Sequence, residues 1–140
     1  MLQYVMLATD GSAAAERAAD FAATLAARYG ARVTVLHTFP PVPNFLGEPN
    51  YSQRLDKTLG EAQALVGDVA KRLRTQGIDD VDAEVVEGPA ASAILDMAES
   101  RAPDLLVVGA RGLSAWKGLV RGSVSQAVTQ GAACPVLVIK

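Results

Sequence analysis

Residues 104–125, DLLVVGARGLSAWKGLVRGSVS, decide the predicted fold because they combine a strand, a glycine-rich turn and a helix start. The apolar run 105–108 ends at Gly109, and Gly122 and Ser123 follow further along the chain. Backbone N–H groups at the start of a helix have no partner within the helix, and the helix dipole also favours an anion there. This stretch therefore predicts a phosphate-binding turn between a strand and a helix.

The rest of the chain alternates between the periodicities of strands and helices. Apolar and β-branched runs predict strands at residues 4–8, 31–39, 81–86, 105–108 and 136–139. Segments with helical spacing or high helix propensity predict helices at residues 12–29, 55–73, 91–98 and 123–132. In the first of these helices, Phe21 and Leu25 are the expected core anchors.

Strands that alternate with helices predict an α/β fold, an open doubly wound five-stranded parallel sheet with helices on both faces. The order 3-2-1-4-5 follows the precedent of such folds, since sequence alone does not determine it. In that order a ligand binds beyond the carboxyl ends of strands 1 and 4, so Asp10 and Gly109 are predicted neighbours. The last strand, 136–139, is predicted to lie at the sheet edge, where unpaired backbone groups invite another chain.

Length and composition limit the function classes. A chain of 140 residues, 50% hydrophobic and 20% charged, is expected to form one domain over residues 1–140. A net charge of −2 and a pI near 5.3 give no indication of nucleic-acid binding. No stretch resembles a membrane span or a signal peptide, so the cytoplasm is the expected location. The one cysteine, Cys134, cannot form an internal disulfide and agrees with a reducing compartment.

The chain resembles the universal stress protein family, in its ATP-binding subclass, over essentially its whole length. The motifs that carry the resemblance are ATDGS (8–12), VLHTF (35–39), VEGPAASAIL (86–95) and CPVLVIK (134–140). The most specific is GARG (109–112), followed after nine residues by GSVS (122–125). In that family the pattern GxxG, nine residues, Gly, then Ser or Thr marks the members that bind ATP, and the spacing here fits without a gap.

The resemblance implies an adenine nucleotide, ATP or its relatives ADP and AMP, bound with Mg²⁺ or Mn²⁺. It implies that Asp10 contacts the ribose and the metal ion, since a carboxylate suits both, and that the main chain of Thr38 meets the adenine edge. The other implied nucleotide contacts are Gly109, Gly112, Gly122, Ser123, Val124 and Ser125. Arg111 adds positive charge, although the family pattern does not fix it. The resemblance also implies a symmetric homodimer through the C-terminal strand.

Several of these residues have an ordinary structural role as well. Asp10 suits a turn or a helix cap, and Ser123 with Gln126 three residues later forms a capping box. His37, the only histidine, is expected to be packed or hydrogen-bonded, and no chemistry is assigned to it.

Three functions are compatible with this pattern. The first is an ATP-binding regulator or sensor with slow or no hydrolysis, because the sequence places no evident base or arginine to activate water. The second is a weak ATPase, or an enzyme that phosphorylates itself at Ser123 or Ser125. The third is an adaptor or structural dimer whose pocket is unused. The chain contains no Walker sequence, GxSxG elbow or metal-binding histidine pair.

Overall fold

The computed structural model describes residues 1–110 and 122–140. Within these residues, five parallel strands form one sheet in the order β3-β2-β1-β4-β5, which confirms the predicted order and places β5 at an edge. The strands are β1 (Tyr4–Ala8), β2 (Arg32–Phe39), β3 (Val81–Glu87), β4 (Leu105–Gly109) and β5 (Val136–Ile139). The helices in the described residues are α1 (Ala13–Tyr29), α2 (Asn50–Thr75), α3 (Ala90–Arg101) and α4 (Ser123–Gly131).

The two faces of the sheet pack against different helices. On β1, Val5 and Leu7 belong to a core cluster that includes residues of α1 and α2. Met6, between them, belongs to a second cluster formed with residues of α3 and α4. Because side chains alternate across a strand, β1 is buried on both sides, and Val5, Met6 and Leu7 are all 0% exposed. Helices therefore cover both faces, as predicted.

Helix α1 packs on the sheet through small side chains. Its buried residues are Ala14, Ala15, Ala18, Ala19, Ala22, Ala23 and Ala26. The prediction of Phe21 as a core anchor is wrong, because Phe21 is 53% exposed; Leu25 is half-buried. The alanines let the helix backbone come so close to β4 that Gly109 lies directly against its first turn, which leaves no room for a large residue on this face. Gly30 ends α1 in the left-handed region, at φ 67°.

Helix α2 starts earlier than its apolar stripe predicts. It begins at Asn50 and ends at Thr75. The stripe is buried from Ala62 to Leu73, whereas Leu55 and Leu59 are only half-buried. Neither α2 nor any other helix in the described ranges is long and apolar enough to cross a membrane.

Asp104 links the start of β1 to the start of β4 through hydrogen bonds. Its Oδ2 accepts hydrogen bonds from the backbone N–H groups of Gln3 and Tyr4, both at 2.9 Å. Its own N–H donates to the Tyr4 carbonyl at 2.9 Å. The two backbone donors favour the charged carboxylate, so they hold the pKa of Asp104 below its ordinary value.

Candidate functional site

A crevice of about 110 Å³ lies at the carboxyl ends of β1, β2 and β4, where the strand order reverses. Asp10 and Gly109, the two predicted neighbours, both line it. Its other lining residues are Ala8, Thr9, Ala15, Leu36, Thr38, Ala90, Ile94, Val108, Gly122, Ser123, Val124 and Ser125. Apolar side chains thus contribute much of the wall, and polar groups come from a few strand ends and from the start of α4.

Asp10 combines a structural role with a free oxygen at the crevice. Its Oδ1 accepts from the backbone N–H of Ser12 at 2.9 Å, which closes the turn into α1. Gly11, within that turn, has a φ of 78°. Ser12 is the N-cap of α1, and its Oγ accepts from the Ala15 N–H at 3.2 Å. Within residues 1–110 and 122–140, Oδ2 of the exposed Asp10 has no hydrogen-bond partner, so it is available to a ligand.

The main-chain N–H and C=O of Thr38 point toward the β1 side of β2, at a level beyond the last residue of β1. The Leu36 carbonyl, two residues earlier, accepts from the Thr9 N–H at 2.8 Å, toward β1. The Phe39 carbonyl, one residue later, accepts from the Gly88 N–H at 2.8 Å, on the β3 side. Because successive residues direct their main-chain groups to opposite sides of a strand, the N–H and C=O of Thr38 point toward β1. The β1–β2 register stops before Thr38, so these groups lie beyond the ladder, at the crevice.

The start of α4 has no side-chain cap. The N-cap is Gly122, which makes no capping side-chain bond, and Ser123 is already the first helical residue. The predicted capping box of Ser123 and Gln126 is therefore wrong: Ser123 lies one position too late to be the cap, and the Gln126 N–H instead donates to the Gly122 carbonyl at 3.1 Å. This arrangement leaves the first backbone N–H groups of α4 at the crevice wall.

Ser125 uses its hydroxyl within the protein. Its side chain is buried, at 5% exposure. Its Oγ lies 3.2 Å from the Ala110 carbonyl and 2.9 Å from the Gly122 carbonyl, and the single hydroxyl proton serves these acceptors. The Gly122 N–H also donates to the Ala110 carbonyl at 2.7 Å. Ser125 thus stabilises the contact between Ala110 and Gly122, a role that the sequence pattern did not indicate.

Two glycines of the motif have packing reasons as well as an implied ligand role. A Cβ on Gly109 would lie 2.9 Å from the backbone carbon of Ala14 and 2.9 Å from the nitrogen of Ala15. A Cβ on Gly122 would lie 2.5 Å from the Ala110 carbonyl oxygen. Real Cβ atoms do not approach backbone so closely, so the fold itself requires glycine at both positions. The predicted contacts of Arg111 and Gly112 lie outside the described residues.

A second cleft, missed from the sequence, opens on the other face of the sheet and shares Asp10 with the crevice. It measures about 640 Å³, and α2 contributes Arg54, Lys57 and Glu61 to its wall. Charges on the outer turns of a helix resemble a solvated face, so no sequence signal distinguishes these residues. His37 lines the same cleft, and its Nδ1 lies 2.7 Å from the Thr9 carbonyl. Among the described residues, no group of three or more His, Cys, Asp or Glu is placed to hold a metal ion.

Comparisons with known proteins agree with this architecture. The chain matches the family model of the universal stress protein family over residues 1–140. A universal stress protein from Thermus aquaticus is 40% identical over 140 residues, which cover 100% of both chains. The solved universal stress protein UspA from Lactobacillus plantarum superposes with a TM-score of 0.88 at 26% identity, covering 99% of this chain and 97% of its own.

A further solved structure holds a ligand. It is a universal stress protein in complex with cAMP, which superposes with a TM-score of 0.76 at 28% identity and covers 99% of this chain and 96% of its own. The match to the family model and the identity to the Thermus aquaticus protein both extend over the whole chain. This chain belongs to the universal stress protein family.

Proposed function

We propose that residues 1–140 act as one domain that binds an adenine nucleotide, ATP or its relatives ADP and AMP, and regulates a stress response with slow or no hydrolysis. One observation carries the proposal. The uncapped start of α4 lines the same crevice as Thr38, whose main chain is not hydrogen-bonded to β1. Unpaired backbone donors at a helix start favour phosphate, and an unpaired main-chain N–H and C=O can hydrogen-bond to the edge of a base. The related protein in complex with cAMP, at 28% identity, supports the same ligand class.

The proposed arrangement assigns each part of the nucleotide to a part of the crevice. The base lies against the apolar wall near Leu36 and Ile94, with its edge at the main chain of Thr38. The phosphates meet the N–H groups at the start of α4, contributed by residues 123–125. At about 110 Å³ the crevice is smaller than most small-molecule pockets, which measure about 300–1,000 Å³, so only the base is proposed to be enclosed, with the ribose and phosphates at the open rim.

Asp10 is proposed to contact the ribose and to hold a metal ion with the phosphates. Mg²⁺ is usually bound through one or two carboxylates together with substrate phosphates rather than by a complete protein cage. A single carboxylate with Oδ2 available therefore fits Mg²⁺ or Mn²⁺ bound with a nucleotide. The ion would neutralise phosphate charge next to this carboxylate. Gly109 and Gly112 remain proposed contacts on the strength of the family pattern, and Arg111 remains one on its positive charge alone.

The described part of the crevice favours binding over catalysis. No His, Lys or Arg from residues 1–110 and 122–140 lines it, and its only carboxylate is Asp10. Of the two serines considered for self-phosphorylation, Ser125 is buried and hydrogen-bonded to backbone carbonyls, which disfavours it as a phosphate acceptor. Ser123 is exposed, so an autophosphorylating enzyme remains the second candidate function.

Titration calorimetry with ATP, ADP and AMP tests the proposal, in Mg²⁺ and again in EDTA. The wild type is expected to bind with 1:1 stoichiometry, and Asp10→Ala is expected to bind more weakly. Asp79→Ala, which removes an exposed carboxylate far along the chain, is the matched control and should bind normally. Absence of binding by the wild type would overturn the proposal, and steady-state phosphate release faster than about one per second would favour the enzyme.

The C-terminal strand is proposed to form a homodimer in the cytoplasm. Among the described residues β5 pairs with β4 on one side only, and Val138 is 37% exposed. An unpaired strand edge with an exposed apolar residue suits a symmetric contact with a second copy. Light scattering at micromolar concentration is expected to give the dimer mass, and replacing Val138 with lysine should give the monomer. A wild-type monomer would contradict this proposal.

A further inference from the structure

The ladder between β1 and β2 ends in an irregular way beside the crevice. The Thr9 N–H donates to the Leu36 carbonyl at 2.8 Å, as a regular parallel ladder requires. The next bond of such a ladder would run from the Thr38 N–H to the Thr9 carbonyl. The register instead stops at the pair Ala8–Leu36, and the Thr9 carbonyl is 2.7 Å from Nδ1 of His37. The side chain of His37 thus stands in for the missing backbone donor.

The contact determines which nitrogen of His37 carries a proton. A carbonyl oxygen only accepts hydrogen bonds, so Nδ1 must donate and therefore carries the hydrogen. In the neutral ring Nε2 is then unprotonated, and it belongs to the side chain that lines the cleft beside α2. His37 and Thr38 are adjacent on β2, so their side chains lie on opposite faces of the sheet. The side chain of His37 therefore lies on the face of the sheet opposite the crevice and does not line it.

We infer that His37 is a positioning residue for the nucleotide crevice: by donating from Nδ1 to the Thr9 carbonyl, it holds this carbonyl toward the α2 side of the sheet, away from the Thr38 N–H, and leaves this N–H for the ligand. This inference rests on the proposed function. Within the described residues no hydrogen bond reaches the Thr38 N–H, which is unusual for a residue in a central strand. Thr38 lines the crevice, so the unpaired donor lies where the base edge is proposed to bind.

The freed main chain has a polarity that selects among bases. The N–H of Thr38 donates and its C=O accepts, and both point to the same side of β2. Adenine offers a ring acceptor beside an amino donor, which complements this pair. Guanine held in the same orientation offers a ring N–H donor to the Thr38 N–H and a carbonyl acceptor to the Thr38 C=O, so like groups face each other. Keeping the Thr38 N–H out of the ladder is therefore expected to favour adenine over guanine.

Two substitutions separate the hydrogen bond of His37 from its bulk. His37→Asn places an amide N–H on the same side-chain position as Nδ1, so the donor to Thr9 is retained. His37→Leu has an apolar side chain and removes the donor. AMP and GMP, titrated without metal, are the probes, and thermal unfolding reports whether each variant is folded.

The expected result is a change in base selectivity. His37→Leu should raise the Kd for AMP about three- to tenfold, the effect of one neutral hydrogen bond, and should change the Kd for GMP little. His37→Asn should keep the wild-type AMP affinity within about twofold. Folded His37→Leu protein with wild-type AMP affinity, or an equal loss of AMP affinity in both variants, would overturn the inference. A purely structural role would lower both affinities together.

The ligand-free protein supplies an independent readout. His37 is the only histidine of the chain, so the ring nitrogen signals in a ¹⁵N NMR spectrum belong to it without further assignment. A hydrogen on Nδ1 is expected, because Nδ1 donates to the Thr9 carbonyl. The Nε2–H tautomer would overturn the inference even if the protein binds AMP normally. Failure of the wild type to bind any nucleotide would instead overturn the proposed function, and the selectivity argument with it.

Discussion

Replacing Gly109 with alanine tests whether this glycine is required by the fold before any ligand arrives. The added Cβ would lie 2.9 Å from the backbone carbon of Ala14, 2.9 Å from the nitrogen of Ala15 and 3.2 Å from the Ala14 Cβ. Two of these three atoms are backbone of the first turn of α1, so no rotamer change relieves the overlap. Overpacking of this kind costs about 1–3 kcal/mol.

Thermal unfolding of the ligand-free protein measures the effect. For a chain of this size each kcal/mol lowers Tm by about 3 °C, so a decrease of about 3–9 °C is expected. Gly67→Ala is the matched control, because Gly67 lies on the exposed side of α2 with nothing within 4 Å of an added Cβ. Alanine favours a helix interior by about 0.5–1 kcal/mol over glycine, so the control should be slightly more stable than the wild type.

A double variant sharpens the reasoning. Adding Ala14→Gly to Gly109→Ala removes only the 3.2 Å contact and leaves both backbone contacts in place, so stability should not recover. If Gly109→Ala unfolds at the same temperature as Gly67→Ala, the close approach of α1 to β4 does not constrain this position. A loss of nucleotide binding in Gly109→Ala could then be attributed to the ligand contact alone.

Three further predictions concern single side chains. Asp10→Asn keeps an oxygen for the turn but removes the charge, so calorimetry should show a larger loss of ATP affinity in Mg²⁺ than in EDTA; equal losses would contradict the metal role. Ser125→Ala removes one hydroxyl donor from the Ala110 and Gly122 carbonyls, which keep their backbone donors, and should lower the free energy of unfolding by about 0.5–1.5 kcal/mol in urea; no change would contradict its structural role. Asp104→Asn should destabilise the protein at neutral pH. Because the folded-state pKa of Asp104 is lowered, the wild-type advantage is complete above its ordinary pKa and is lost as pH falls through the folded value; a gap in urea midpoint that does not change with pH would contradict this cause.

The strand order and the place of the crevice could be predicted from the sequence. The strands follow from the hydrophobic pattern, and their order and the position of the crevice follow the precedent of doubly wound folds. Apolar runs separated by helices gave five strands, and β5 lies at the predicted edge. The buried face of α1 could not be predicted from residue size. Phe21 is its largest apolar residue, yet the short distance between α1 and β4 selects the alanine face instead. Hydrophobicity indicates which residues prefer burial, but the distance between packed elements decides which of them fit.

Some features of the candidate site could likewise be predicted from the sequence, and others could not. Asp10 and Thr38 both line the crevice, because the ends of β1 and β2 determine their position, and their ligand contacts stay predictions. The capping box of Ser123 was wrong by one residue because it depends on where the helix begins, which is the least certain feature of a sequence pattern. The contact of His37 with Thr9 was not predicted, because the two residues are 28 positions apart and meet only through the pairing of β1 with β2.

Among the described residues, the crevice is distinguished by unpaired backbone groups rather than by reactive side chains. The start of α1 and the start of α4 both line it, and both have the partial positive charge of a helix start. Ser12 caps α1 through the Ala15 N–H, whereas α4 has no side-chain cap. A phosphate is therefore expected at α4, where, within the described residues, no side chain caps the first backbone N–H groups and a ligand can bond to them. Thr38 follows the same rule at the end of β2, and this shared property is how the described part of the crevice is proposed to select a nucleotide.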